Sequence, residues 1–218
     1  MYRCVAGSLE GFVQQIATAY IPHGYWFYVQ GWIPDCKHAE KVDAKLTERY
    51  GVAISKWARA RRKQSGQACM QYLRYRNTFV LMATMGQHSF FELERGMIRD
   101  VRKTPIKIDG YSISARRGPD RKLHAHVRID SKALAELKEK FRYLAEHASQ
   151  GRVVNELYEL PFEPYAPIRR QYLTLLRMVN QIRHAKKQKE IPTAVLPLRR
   201  RIVQAFEEAP SRFSAPAA

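Results

Sequence analysis

Two histidines at alternate positions give the segment 123–129 (LHAHVRI) the most specific chemical pattern in the chain. Its composition and the Gly-Pro-Asp turn before it predict a strand, on which successive side chains point to opposite faces. His124 and His126 then share one face about 7 Å apart, a spacing at which two imidazoles can bind one divalent cation. The simpler interpretation is a strand whose histidines and Arg128 face solvent or a nucleic acid.

This segment resembles the His-hydrophobic-His motif of the HUH endonuclease family, which includes rolling-circle replication initiators, relaxases and single-strand transposases. The resemblance implies a metal-dependent nicking enzyme in which His124 and His126 hold Mg²⁺ or Mn²⁺ against the scissile phosphate. It also implies a nucleophilic tyrosine on a later helix, which here would be Tyr143 or Tyr172. Leu-Ala-Glu follows the first tyrosine and Leu-Thr-Leu the second, so neither has the family's Tyr-x-x-Lys setting. Both tyrosines also fit the apolar stripe of a helix, where they would pack in a core.

His88 is the other candidate for catalysis, because it follows a hydrophobic stretch at a place where catalytic loops are common. Its imidazole titrates near neutral pH and could act as a general base in RNA cleavage. With Glu92, it is also a candidate third metal ligand. A histidine that satisfies the hydrogen bonds of its own loop is the simpler interpretation. The sequence contains no P-loop, G-x-S-x-G or H-E-x-x-H motif, and Cys36 and His38 lack a second close pair for zinc.

Charge is the most informative bulk property of the chain. Its 218 residues carry 38 Lys and Arg against 20 Asp and Glu, which gives a net charge of +18. A surplus of this size repels itself in the folded state and therefore favours a polyanionic partner. Arginine is the commoner of the two basic residues, and its guanidinium binds phosphate bidentately and stacks on bases. We therefore expect a nucleic acid as the partner, and nothing in the sequence separates DNA from RNA.

Four basic clusters could contact phosphate, although each taken singly also fits a solvated surface. The first contains Trp57, the second alternates arginines with tyrosines on a predicted strand, the third flanks a hairpin turn, and the fourth follows a helix. On a strand, Tyr72, Arg74 and Arg76 would share a face and combine stacking with charge, as single-strand binders do. The candidate nucleic-acid-binding residues are Lys56, Trp57, Arg59, Arg62, Lys63, Tyr72, Arg74, Arg76, Arg116, Arg117, Arg121, Arg128, Arg183, Lys186, Lys187, Arg199, Arg200 and Arg201.

Hydrophobic patterning predicts strands early in the chain and helices late. Strands are expected over 24–33 and 70–85, and a hairpin with an Asp109-Gly110 turn within 105–129. A helix is expected over 39–50, closed by Gly51. A later helix is expected after Ser131 as N-cap, with an apolar stripe of Leu134, Leu137, Phe141 and Leu144. Further helices are expected over 153–158, 168–189 and 198–208, with an extended connector over 161–167.

This order predicts an α+β fold with a small antiparallel sheet core, ferredoxin-like or related, followed by a helical C-terminal extension. The expected domains are the core over 1–130, the extension over 131–209 and a flexible tail over 210–218. No apolar stretch approaches the roughly 18 residues that cross a bilayer, so we expect no membrane partner. Three widely spaced cysteines favour the reducing cytoplasm.

The sequence therefore predicts a basic cytoplasmic protein, without a cofactor, that binds nucleic acid mainly through phosphate contacts. It would belong to a replication, mobile-element or ribonucleoprotein complex with protein partners. The first alternative is the HUH-like single-strand nicking enzyme or replication initiator. The second is a non-catalytic subunit that binds a structured RNA. Only the first would make the chain an enzyme.

Overall fold

The described residues, 2–207, form helices and two small antiparallel sheets in this computed structural model, which confirms the predicted α+β class. They divide into two compact units. Unit 1 contains residues 2–106, 113–126 and 203–207, and unit 2 contains 107–112 and 127–202. The predicted tail over 210–218 lies outside the described residues. The domain boundaries after residues 130 and 209 remain predictions.

The sheet of unit 1 has four strands in the order β2-β3-β1-β4. These are β1 (Phe27–Trp32), β2 (Met70–Tyr75), β3 (Thr78–Ala83) and the two-residue β4 (Arg99–Asp100). All neighbouring strands are antiparallel. Helices follow β1 and β3, so the chain order and strand order match the ferredoxin-like βαββαβ arrangement.

The helices of unit 1 pack against this sheet. They are α1 (Leu9–Gln14), which continues as a π-helical stretch (Gln15–Tyr20), then α2 (Ala39–Arg49), α3 (Lys56–Gln64) and α4 (Phe90–Leu93). On one face Val29, Tyr72 and Leu81 form a core with Tyr50 and Phe90.

Strand β1 needs a glycine where it crosses β3. A Cβ at Gly31 would lie 2.3 Å from the ring of Phe79, its partner on β3. The ring therefore occupies the space that any larger residue at position 31 would fill.

A second sheet has three strands in the order β5-β6-β7, namely β5 (Ile106–Ile108), β6 (Tyr111–Arg117) and β7 (Leu123–Ile129). The predicted turn joins β5 to β6, with φ of +39° at Asp109 and +81° at Gly110. Two positive φ angles are what a two-residue hairpin of this type requires, which confirms the predicted hairpin.

Unit 2 is mainly helical. It contains α5 (Ser131–His147), α6 (Gln150–Tyr158), α7 (Ala166–Ala185) and a 3-10 turn (Thr193–Val195). Helices α5 and α7 pack together, and Phe141, Tyr172 and Val179 are fully buried. None of the helices within residues 2–207 is long and apolar enough to span a membrane.

The ends of three helices differ from the sequence prediction, and of these α6 begins at Gln150 rather than at residue 153. Helix α5 is capped by Asp130 rather than Ser131, because the Asp130 carboxylate accepts the amide hydrogens of Lys132 and Ala133. Helix α7 ends at Ala185, four residues early, and Lys187 then adopts a left-handed φ of +56°.

The helix predicted over 198–208 is wrong for its described part, since residues 198–207 are irregular. Two backbone amides of this segment donate to side chains of other segments. The Arg201 amide donates to the Glu163 carboxylate, and the Val203 amide donates to Gln14 Oε1.

Candidate nucleic-acid interface

Helix α3 places five cations and no acid on the surface of unit 1. The Ser55 hydroxyl caps the helix by accepting the amide hydrogen of Ala58 at 3.2 Å. Three of the cations lie in the last turn, where the helix dipole favours positive charge. None of the α3 side chains is buried, so this helix lies on the surface. The need to fill a core therefore does not explain which residues it contains.

Two of the α3 cations that are predicted to contact phosphate also hydrogen-bond within unit 1. The Arg59 guanidinium donates to the Val52 carbonyl at 3.3 Å. The Lys63 ammonium donates to the His23 carbonyl at 2.9 Å and lies 5.4 Å from the ring centre of Tyr25. Both side chains therefore have internal partners.

Three cationic or aromatic side chains of α3 face outward in addition to the exposed Lys63, namely Lys56, Trp57 and Arg61. All three are exposed, and Trp57 is 79% exposed. Trp57 and Arg61 are four residues apart and therefore share one helix face. Among the described residues, no carboxylate lies within ion-pair distance of any α3 cation.

The turn between β6 and β7 is a second basic surface of unit 1. Its four cations are all exposed: Arg116, Arg117, Arg121 and Lys122. The one acid of this turn, Asp120, is bound to His124 Nε2 at 2.8 Å. The same hydrogen bond lowers the pKa of Asp120. The Asp120 carboxylate is therefore hydrogen-bonded to a histidine and not to the arginines beside it.

Tyr72 and Arg74, predicted as an exposed stacking surface on β2, are buried, which corrects that expectation. Tyr72 has no exposed surface and its hydroxyl donates to Asp43 Oδ1 at 2.6 Å. Arg74 is 9% exposed, donates to both Asp43 oxygens and also binds the Arg76 carbonyl at 2.7 Å. Burial and the neighbouring carboxylate raise the pKa of Tyr72. These side chains join α2 to β2 and are not available to a ligand.

The remaining predicted cations divide into buried and exposed ones. Arg183 is 3% exposed and donates to the Lys189 carbonyl at 2.9 Å, so its assignment to the interface is also corrected. Arg128 is half-buried on β7. The exposed members are Arg76, Lys186, Lys187, Arg199, Arg200 and Arg201.

Sequence reasoning missed a basic stripe on α7. Three arginines lie on its exposed face together with other polar side chains, namely Arg169, Arg170, Thr174, Arg177, Gln181 and His184. The signal was present, because positions 170, 174, 177, 181 and 184 repeat at three- and four-residue intervals between the apolar positions.

His88 satisfies its own loop, as the simpler interpretation predicts. Its Nδ1 accepts the amide hydrogen of Phe90 at 3.1 Å. Burial lowers the pKa of His88, the charge of Arg62 lowers it further, and a hydrogen bond with the Tyr50 backbone partly opposes both. The imidazole therefore joins the start of α4 to the backbone of Tyr50, which follows α2.

The two candidate nucleophiles lie in opposite environments in unit 2. Tyr172 is fully buried, and its hydroxyl donates to the Phe162 carbonyl at 2.8 Å and accepts the Phe162 amide hydrogen at 3.1 Å. A buried hydroxyl with two backbone partners cannot reach a phosphodiester, so Tyr172 is corrected to a core residue. Tyr143 is exposed rather than packed in a core, and its ring lies 4.8 Å from that of His147.

The histidine pair on β7 has no third ligand among the residues that the structure describes. His124 is exposed and His126 is half-buried, and the His126 carbonyl accepts a hydrogen bond from Ser114. Within residues 2–207, no three His, Cys, Asp or Glu side chains are grouped so as to hold a metal ion.

No known family model matches this chain, and a search of curated proteins found no match. A functional proposal therefore depends on the chemistry of the surfaces described above.

Proposed function

We propose that this protein binds nucleic acid mainly through phosphate contacts, with α3 and the β6–β7 turn as contact surfaces in unit 1. The observation that supports this most directly is the outward face of α3. There Lys56, Trp57 and Arg61 are exposed on a helix that carries no acid.

The arrangement of cations on α3 favours an external polyanion. Arg59 is three or four residues from Lys56, Arg62 and Lys63, so these like charges repel one another along the helix. The described carboxylates do not relieve this repulsion. Phosphates in a nucleic-acid backbone would relieve it and would release bound counterions at the same time.

The proposal places the protein in the cytoplasm, without a cofactor, in a replication, mobile-element or ribonucleoprotein complex. Three free cysteines are compatible with that compartment. The nicking-enzyme alternative gains no support, because Tyr172 is buried and the described histidine pair has no third ligand.

Salt-dependent binding tests the proposal. Fluorescence anisotropy would follow labelled single-stranded DNA, duplex DNA and structured RNA from low to high salt. The double variant Lys56→Ala with Arg61→Ala should weaken binding and reduce the salt slope by about 1.4 to 1.8, which corresponds to about two lost phosphate contacts.

The matched control is Lys140→Ala with Arg142→Ala on α5. It removes the same formal charge from side chains that are already paired with Glu156 and Glu139. We expect it to leave the slope nearly unchanged. An equal effect of both double variants would show that net charge, and not α3, determines binding, and no binding at low salt would refute the proposed function.

A further inference from the structure

We propose that Trp57 stacks on an unpaired base, so that the ligand of α3 is a single-stranded nucleic acid. This inference rests on the proposed function and adds the strand class. It begins from the unusual placement of one tryptophan.

Trp57 is the most exposed of the three tryptophans. Trp26 donates its indole N–H to the Ile21 carbonyl at 3.3 Å, and the Arg102 guanidinium lies 4.6 Å from its ring centre. Trp32 ends β1 and is 61% exposed. What distinguishes Trp57 from Trp32 is its place on a helix that carries five cations and no acid, where the 79% exposed indole is accessible to a polyanionic partner.

The surrounding contacts hold the indole outward. Arg59 and Lys63 hydrogen-bond α3 to the carbonyls of Val52 and His23. The Cys69 thiol also donates to the Arg59 carbonyl at 3.4 Å. Rotating α3 to bury Trp57 would break these contacts.

The neighbours of Trp57 determine the chemistry of its partner. Lys56 precedes it, and Arg61 lies one turn later, about 6 Å further along the axis. An aromatic ring between unpaired cations is the combination by which proteins bind single strands, because the ring stacks on a base while the cations contact the backbone. A duplex covers its base faces by stacking, so the indole would have no surface to contact there.

Three probes of equal length separate stacking from charge. They are a thymidine oligomer, an abasic oligomer with the same phosphates, and a duplex. A fourth probe, a uridine oligomer, distinguishes RNA from DNA as the source of the base. Trp57→Ala should weaken binding to the thymidine or uridine oligomer about 5- to 160-fold. It should leave abasic and duplex binding, and the salt slope, unchanged.

Trp32→Ala is the matched control, since it removes an exposed indole from another element of unit 1 and should change none of these affinities. Circular dichroism confirms that both variants fold. If Trp57→Ala weakens all probes equally, or none, while the wild type binds them, stacking is refuted and phosphate binding stands. If the wild type binds no probe at low salt, the proposed function and this inference are both overturned.

Discussion

Replacing Arg74 with methionine should destabilise unit 1 without changing nucleic-acid binding. The Arg74 guanidinium donates to Asp43 Oδ1 at 2.9 Å and to Oδ2 at 2.8 and 3.0 Å. The side chains of both residues are about nine-tenths buried. The variant would leave the Asp43 carboxylate with the Tyr72 hydroxyl as its remaining partner from β2.

The expected loss is about 3–5 kcal/mol, which is the usual effect of removing one partner from a buried ion pair. Whole domains are stable by only about 5–15 kcal/mol, so the variant would be near the limit of folding. With a urea m-value of about 2 kcal/mol per molar, the unfolding midpoint should fall by about 2 M.

Urea unfolding followed by circular dichroism measures this change, and a second variant keeps the test interpretable. Asp43→Asn combined with Arg74→Met removes the orphaned charge and should be less destabilising than the sum of the two single changes. Tyr72→Phe removes one hydrogen bond to the carboxylate and should cost about 1–3 kcal/mol.

The opposite result would place Arg74 at the interface. A stability loss below about 1 kcal/mol, together with a reduced salt slope in the anisotropy titration, would mean that the guanidinium faces a ligand. The assignment of Tyr72 and Arg74 to the core would then be wrong.

Three further changes test other parts of the structure. Burial lowers the pKa of His88 below its ordinary value of 6.5, so the unfolded chain takes up the proton first and stability should fall as the pH drops below 6.5. His88→Asn keeps an acceptor for the Phe90 amide and should reduce this loss of stability, measured as urea midpoints at neutral and mildly acidic pH. An unchanged loss would exclude His88 as its source. Tyr172→Phe should lower the free energy of unfolding by about 1–2 kcal/mol, and strand cleavage that is present in the wild type and lost in this variant would contradict its core role. Gly31→Ala should destabilise unit 1 by about 1–3 kcal/mol, because the Phe79 ring must move, and a neutral effect on the melting temperature would show that the ring yields freely.

Elements with local signals could be predicted from the sequence. The Asp109-Gly110 turn and the Gly51 end of α2 depend on residues that tolerate positive φ, and both appear where expected. Helix α1 and its π-helical continuation also have a sequence signal, since Phe12, Ile16 and Tyr20 recur every fourth residue.

The candidate site was harder to predict, because periodicity shows which side chains share a face but not which face is buried. Tyr72 and Arg74 do share a face, but Asp43, 31 residues before Arg74, makes that face part of the core. Arg183 is different, because it continues the apolar positions 172, 175, 176 and 179 of α7, so its burial could have been inferred.

The return of the chain to α1 has a consequence for synthesis. The Gly7 amide donates to the Ala205 carbonyl at 3.1 Å, and Gln14 binds both backbone groups of Val203, 189 residues later. Contacts of such sequence separation form slowly and only after the intervening chain exists. Helix α1 therefore gains these contacts only after residues 203–205 have been synthesised, and a chain cut at residue 202 would lack part of unit 1.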